Sequence, residues 1–355
     1  MKIIIDILTP KQGMLFQKLS ESLGKRGHKV FKTTRRYREV QQLLRLKGID
    51  ATVVGEHGGK ALADKLKASA KRTLELASVL EETKPDVAVS FSSPEMARAS
   101  YGLKIPHIAI NDSPHAEAVA RLTIPLSAKL LTPKIIPKRA WTKYGISPEN
   151  IVQYNALDPW VWLKDFKPDR EILRQLGLDE SKPILTFRTE ESFAAYLLGK
   201  TQAETTVAPV IKKILGESRG LQIVAVPRYE EQVNALRQAF GNKIVVCGTV
   251  VDGPSLLYYS SVFVGAGGTM SAEAALLGVP TISCYPSEPS LIERYLIRKG
   301  LVTRETDPEK DVKKILAILR NKNRAKKRHV AKAQKLVRNF EYPIDVIMKE
   351  IEGFA

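Results

Sequence analysis

The chain has 355 residues, 44% of them apolar and 26% charged, which favours two domains with packed cores and excludes wholesale disorder. No run approaches the roughly 20 uninterrupted apolar residues that span a bilayer. A net charge of +18 and a pI near 9.7 predict affinity for something anionic, whether nucleic acid, a phosphorylated small molecule or an acidic membrane surface.

The opening MKIIIDILTP is too short, and too acidic at Asp6, for a signal peptide, and reads as a first buried strand. GMLFQKLSESLGKRG follows as a helix closed by Gly24 to Gly27, then KVFKTTR as a second strand. ALADKLKASAKRTLELASVLEETK repeats apolar residues at three- and four-residue spacing, a long helix. PDVAVSFSS, IPHIAIND and AKLLTPK supply three more strands. NALDPWVWLKDFKPDREILRQLG, rich in Pro and Trp, reads as an ordered linker. Beyond it the rhythm repeats. PILTFRT, LQIVAVPR, NKIVVCGTV, SVFVGAGG and VPTISCYP are strands; TTVAPVIKKILGES, YEEQVNALRQAFG, PSLLYYSS, TMSAEAALLG and SLIERYLIRKG are helices.

This alternation predicts two Rossmann-type, doubly wound α/β domains with parallel sheets, residues 1–157 and 158–339. Ligands are expected in the cleft where the carboxyl ends of the strands converge. Cys247 and Cys284 both lie in β-like apolar runs and read as reduced core residues of a cytoplasmic protein.

The charge is uneven. RNKNRAKKRHVAKAQKLVR, 320–338, holds nine Lys or Arg and no acid, and KVFKTTRRYREV is a second basic zone. Solvated helices explain both as well as a polyanion site does. Few aromatics interleave with these cations and no nucleic-acid motif accompanies them, so nucleic acid is disfavoured.

The sharpest motif is VGAGGTMSAEAALLGVP, 264–280. Gly265, Gly267 and Gly268 follow a strand and precede a helix, so the backbone can turn tightly and approach a ligand. The first N–H groups of that helix, near Thr269, lack intrahelical acceptors and suit an oxyanion, most often a phosphate. Glu273, one turn in, could accept hydrogen bonds from vicinal hydroxyls such as those of a ribose. The plain alternative is a tight packing turn. Gly278 and Pro280 need only a helix C-cap and a strand entry. The pattern is neither a Walker loop nor GxGxxG after the first strand.

GAGGTMSAEAALLGVP resembles the nucleotide-binding stretch of GT-B glycosyltransferases, especially the peptidoglycan N-acetylglucosaminyltransferase. More broadly, the chain resembles an archaeal and bacterial family of unknown function with an expected GT-B-like fold, related to UDP-GlcNAc 2-epimerases. DILTPKQ, NDSPHA, RLTIPLSAKLLTP, YNALDPWVWLKDFKPD, LTFRTEES and VPRYEEQ carry that likeness over nearly the full length. The resemblance implies that the second domain holds a nucleotide sugar, with a UDP-sugar the first guess, and the first domain an acceptor. It also implies that a last helix, 340–355, returns to the first domain.

Arg188 and Arg228 follow strands of the second domain and could clamp a diphosphate bidentately, the alternative being salt bridges to Glu190, Glu191, Glu230 or Glu231. The loop 248–252 resembles the place where such proteins hold the base. In the first domain Thr9, Gln12 and Gly13, with Lys11, stand at one strand-to-helix turn and Asn111 at another, as acceptor-binding candidates. Asp112 and His115 are the candidates for a general base, although Asn-Asp-Ser-Pro is also good turn and cap chemistry. The remaining histidines form no metal-ligand spacing. The mechanism expected is direct glycosyl transfer to a hydroxyl, with the leaving diphosphate stabilised by the helix terminus and arginines, and no metal or cofactor.

Two other readings stand. A non-hydrolysing 2-epimerase would open its second domain with Thr-His-Arg-Arg-Glu, where this chain has Thr186, Phe187, Arg188, Thr189 and Glu190. A nucleotide-sugar or polyanion binding protein without turnover would keep Gly267, Gly268 and Glu273 and ignore Asp112 and His115. The acceptor is left open, a lipid-linked one included, as is the oligomeric state. AVARLTIPLSAKLLTPKIIPKRAW mixes apolar and basic residues; two buried elements are preferred there over a peripheral contact with an anionic membrane.

Overall fold

A computed structural model describes residues 1–59, 61–190, 205–218, 220–266 and 268–355. The chain divides into two compact units, Met1–Trp162 with Glu341–Ala355, and Leu163–Phe340.

The first unit runs β1 (Lys2–Ile7), α1 (Pro10–Lys25), β2 (Lys29–Arg36), α2 (Arg38–Leu46), β3 (Thr52–Glu56), α3 (Leu62–Thr83), β4 (Val87–Ser90), α4 (Pro94–Gly102), β5 (His107–Ile110), α5 (Glu117–Thr123), β6 (Lys129–Pro133), α6 (Arg139–Thr142) and β7 (Ile151–Tyr154). Helix α7 (Trp160–Leu163) follows at the boundary. The second unit runs α8 (Glu171–Gln175), β8 (Ile184–Arg188), α9 (Ala208–Glu217), β9 (Gln222–Val226), α10 (Glu230–Phe240), β10 (Val245–Val246) and α11 (Gly253–Tyr259). It continues with β11 (Val262–Gly265), α12 (Thr269–Leu276), β12 (Thr281–Ser283), α13 (Leu291–Arg298), β13 (Val302–Arg304), α14 (Pro308–Arg320) and α15 (Lys322–Val337). Helix α16 (Pro343–Glu352) belongs to the first unit.

Both sheets are parallel, as the alternation of β-branched runs and amphipathic stretches predicts. The first has seven strands in the order β3-β2-β1-β4-β5-β6-β7, the second six in the order β10-β9-β8-β11-β12-β13. Covering helices leave no wet face, so central strands are largely apolar: Ile3, Ile4, Ile5 and Ile7 of β1 are wholly buried, as is Asp6 between them. Each unit winds outward from its first strand and then reverses, so the switch points lie between β1 and β4 and between β8 and β11. In open sheets of this kind, such points at the carboxyl ends of the strands are where ligands bind.

Helix α1 starts at Pro10 behind the N-cap Thr9 and buries Leu15, Phe16, Leu19 and Leu23. Helix α16 packs against it through Ile344, Ile347, Met348 and Ile351, with Glu352 paired to Arg26 and Glu350 to Lys129. Beneath β1, Arg72 is fully buried, its guanidinium forked onto Asp6 at 2.6 and 2.9 Å. Gly55, at φ +68, makes room for it, since a Cβ there would stand 2.8 Å from Arg72 Cγ.

The structure adds elements to the pattern read in the sequence, β7 and β13 among them. Between β2 and α3 the structure adds α2 and β3; β3 is short and exposes its first two residues, so its alternation is too weak to announce it. The Pro- and Trp-rich stretch expected as a linker carries α7 and α8, and its Asp158 is entirely buried in the first unit.

Candidate functional site

In the second unit, β9, β8 and β11 are neighbours, so their carboxyl ends lie side by side. Arg188 ends β8 and registers against Gly265, the last residue of β11. Its Nη1 donates to Val226 O at 3.2 Å and Pro227 O at 3.0 Å, which ties the end of β8 to the end of β9. Arg228 follows directly. Its Nη2 would stand only 3.2 Å from a Cβ on Gly268, so its guanidinium lies against the glycine turn. Gly268 caps α12 at φ 91 and ψ −169, a conformation open essentially to glycine, and offers no side chain to the first-turn N–H groups. Thr269 begins the helix, and Glu273 is buried one turn in. Gly267 lies outside the described residues, as does Glu191.

One further group belongs here. Ser271 Oγ is buried and, among the described residues, has no hydrogen-bond partner. It points at the turn, 3.2 Å from where a Cβ on Gly265 would sit. An unpartnered buried hydroxyl costs about 1–3 kcal/mol, so the position is one a ligand oxygen would relieve. The signal in the sequence was slight: a small polar residue at the third position of a glycine-preceded helix. Gln232 braces this edge, accepting from Thr189 Oγ1 at 2.7 Å and Arg228 N at 2.9 Å while donating to Glu190 O at 3.1 Å.

In the first unit, the switch point holds a charged cluster. Lys11, in the first turn of α1, bonds Asp112 and stands 2.6 Å from Asp158 Oδ2, with its ammonium 4.2 Å from the Phe91 ring centroid. Tyr154 donates its hydroxyl to Asp158, and Ser113 Oγ donates to Asp112 Oδ1 at 2.8 Å. Asp158 and Tyr154 are wholly buried, whereas Lys11 and Asp112 keep 14% and 15% of their side chains exposed, which makes that pair the open end of the cluster. Burial alone would raise the Asp112 carboxyl, but Lys11 and Ser113 hold it below the usual range. Asp158 goes the other way, raised by burial and by Asp112 against the pull of Lys11. Burial would lower Lys11, and the two carboxylates raise it instead.

The other first-domain candidates are held by their own loops. Asn111 donates Nδ2 to Ser92 Oγ at 2.7 Å and accepts Ser113 N at 2.7 Å, so it closes the turn after β5. Ser92 is a non-glycine residue at φ 51, a strained position at the end of β4. Gln12 accepts Leu8 N at 2.6 Å and donates to Phe91 O at 3.4 Å. Thr9 is the N-cap of α1, without a side-chain cap bond. A Cβ on Gly13 would stand 2.7 Å from Leu43 Cδ2, so this glycine serves the packing of α1 on α2. His115 is exposed, its pKa lowered by partial desolvation against the pull of Asp112. Lys11, Asp112 and Ser113 are thus brought together. Asp158, which completes the cluster with Tyr154 at the end of β7, comes from the stretch read as a linker; an acid inside an aromatic run was its only signal.

Burial pushes the Cys247 and Cys284 thiols up to about 12, so neither serves as a nucleophile. His107, lowered to about 4 by burial, bridges Ser90 and Ser127 in the core. Among the described residues no three His, Cys, Asp or Glu are grouped to hold a metal, and no helix is long and apolar enough to cross a membrane.

Comparison with known proteins agrees with this architecture. The profile of the family described as a protein of unknown function, DUF354, matches residues 1–352. An uncharacterized protein, MJ0665 of Methanocaldococcus jannaschii, is 32% identical over 308 residues, 85% of this chain and 87% of that one. Among solved structures, the S. aureus MnaA–UDP co-structure superposes with a TM-score of 0.77 at 13% identity, covering 99% of this chain and 96% of that one. The UDP-GlcNAc 2-epimerase of Methanocaldococcus jannaschii, with UDP-GlcNAc and UDP, gives 0.70 at 16% identity and 99% of both chains. Anabaena Alr3699/HepE, in complex with UDP and glucose, gives 0.66 at 13%, covering 99% of this chain and 100% of that one. The fold is therefore GT-B-like.

Proposed function

The chain belongs to the DUF354 family, and from that premise we propose that it binds a nucleotide sugar, a UDP-sugar first, and transfers the sugar to an acceptor hydroxyl. The observation that carries the reading is the turn before α12. Gly268 leaves the first-turn N–H groups uncapped, Arg228 lies against it, and the Ser271 hydroxyl awaits a partner among the described residues. A diphosphate supplies acceptors to all three at a helix terminus whose dipole favours negative charge. The nucleotide partners named for MnaA, the M. jannaschii epimerase and HepE support the same class of ligand.

In the transfer step the acceptor oxygen bonds to the anomeric carbon as the bond to the diphosphate breaks. The diphosphate leaves with its electron pair, which the α12 terminus, Arg228 and the Ser271 hydroxyl stabilise. Gly265 and Gly267 let the backbone approach, Thr269 supplies a first-turn N–H, Glu273 takes the ribose hydroxyls, and Arg188 holds the β9 loop that carries Arg228. The acceptor proton passes to Asp112 or His115, with Thr9, Gln12, Gly13 and Asn111 shaping that side. Held low by Lys11, Asp112 is ionised at neutral pH and able to accept. The scheme uses no metal, and the protein acts in the cytoplasm.

Epimerisation at the sugar is the second reading, favoured by the fold shared with 2-epimerases. Incubation with UDP-GlcNAc and UDP-glucose, with and without polyol or lipid-linked acceptors, separates the two. Acceptor-dependent release of UDP supports transfer, and an epimerised nucleotide sugar in the absence of acceptor replaces it. Calorimetry that finds no affinity for UDP, GDP or ADP ends both.

A further inference from the structure

Helix α15 presents a run of exposed cations with no acid among them. At 100° per residue, Arg324, Lys327, Arg328, Lys335 and Arg338 fall on one side of the helix, with Ala331 between them, and all are exposed. The row is about 21 Å long at 1.5 Å per residue. Several exposed cations elsewhere stand beside carboxylates, as Lys71 does with Glu75, Arg121 with Glu117, Arg174 with Glu171 and Lys213 with Glu309. Residues 320–338 contain no acid, and among the described residues none of the five cations forms a salt bridge.

The opposite side of α15 is committed to the fold. Ala333 is buried, and Val330 closes on Gly278, where a Cβ would come within 2.5 Å of the Val330 backbone. Lys326 and Lys332 donate to Tyr258 O and Gly300 O, each at 2.9 Å. Cations on the inner side therefore cap carbonyls, and those on the outer side are left to solvent. Like charges along one stripe repel, and nothing in the packing compensates for it.

We propose that this outer stripe docks on an anionic lipid surface by electrostatics alone, without insertion. Clusters of four to eight Lys or Arg on a helix suffice for such adsorption, each adding to it within a Debye length of about 8 Å. No apolar residue larger than Ala331 lies on the stripe, so there is nothing to bury in the acyl region. Nucleic acid is the poorer fit. The stripe has no aromatic side chain on which a base could stack, and it is a straight row rather than a groove that follows a backbone. A plane of head groups matches a straight, uniformly basic row.

The proposal does not depend on the nucleotide reading, and its test is flotation of the full chain with phosphatidylcholine vesicles, with and without phosphatidylglycerol. Binding is expected only with phosphatidylglycerol and is expected to fall as salt rises. The triple variant Arg324→Gln, Arg328→Gln, Lys335→Gln should weaken partitioning on the order of 100-fold. A control carrying Lys71→Gln and Arg121→Gln should bind as the parent does, and circular dichroism melts establish that both variants fold. Absence of binding at low salt, binding that the triple variant retains, or displacement from the vesicles by equimolar duplex DNA or RNA would each overturn it.

Discussion

The two switch points are built on the same plan and charged in opposite ways. Between β1 and β4, Lys11 is shared by Asp112 and Asp158, and Tyr154 and Ser113 satisfy what remains. Between β8 and β11, a helix end without a cap meets an arginine and a hydroxyl that has no partner among the described residues. One site answers its own charges; the other sets a cation and a hydroxyl without a partner among the described residues beside a helix terminus. On the proposed reading, that difference separates a site suited to tuning a proton from one suited to holding an anion, although sheet topology alone would give them the same rank.

The largest test of the comparison is removal of the cation that completes the first cluster. Lys11→Met leaves two carboxyls facing each other without a counter-charge, and breaking a buried pair in this way costs about 3–5 kcal/mol. Urea unfolding at neutral pH should show that loss. The loss should shrink as pH falls, because protonated carboxyls no longer need the ammonium. A variant within about 1 kcal/mol of the parent would mean that the cluster is not self-sustaining.

Asp311 offers the converse in the second unit. It is buried in α14, and among the described residues neither carboxyl oxygen has a hydrogen-bond partner. Burial, with Glu305 and Asp307 nearby and only Lys314 opposing, raises it to about 7. An acid raised in the folded state is protonated in both states at low pH and ionises first when unfolded. It therefore costs stability as pH rises from about 4 towards 7, by about 1.4 kcal/mol per unit at most. Asp311→Asn should flatten the thermal-melting profile across that window, and an unchanged slope would show that the carboxyl is already paired.

How much of this the sequence discloses follows from where each contact lies along the chain. The parallel sheets are legible because period and length are local properties, and so is the glycine turn, whose helix begins at the next residue. The charged cluster is not. Lys11 and Asp112 are 101 residues apart, and no local pattern announces that they meet. Asp158 reads as part of a linker because Pro and Trp dominate its neighbourhood. Ser271 is local yet easily passed over, since its meaning depends on what is missing around its hydroxyl. Gly13 resembles a ligand-approach glycine until Leu43 is found against it.

A substitution at the turn strikes both fold and ligand. Gly268→Val forces a side chain into a backbone region that costs about 1–3 kcal/mol and presses a Cβ towards Arg228. Calorimetry should show affinity for UDP reduced by about 2 kcal/mol, near 30-fold. The stability loss alone, with UDP affinity kept, would detach the turn from the diphosphate.

The smallest substitution makes the finest distinction. Ser271→Ala removes one hydroxyl that costs the folded protein something and contributes nothing to it, so stability should hold or rise slightly. Affinity for UDP should nevertheless fall by about 1 kcal/mol, roughly fivefold, because the lost group is one the ligand would have satisfied. Opposite signs for folding and binding are the mark of a group held in reserve for a ligand. A loss of stability instead would reveal an internal partner for the hydroxyl, and the second switch point would then be as self-contained as the first.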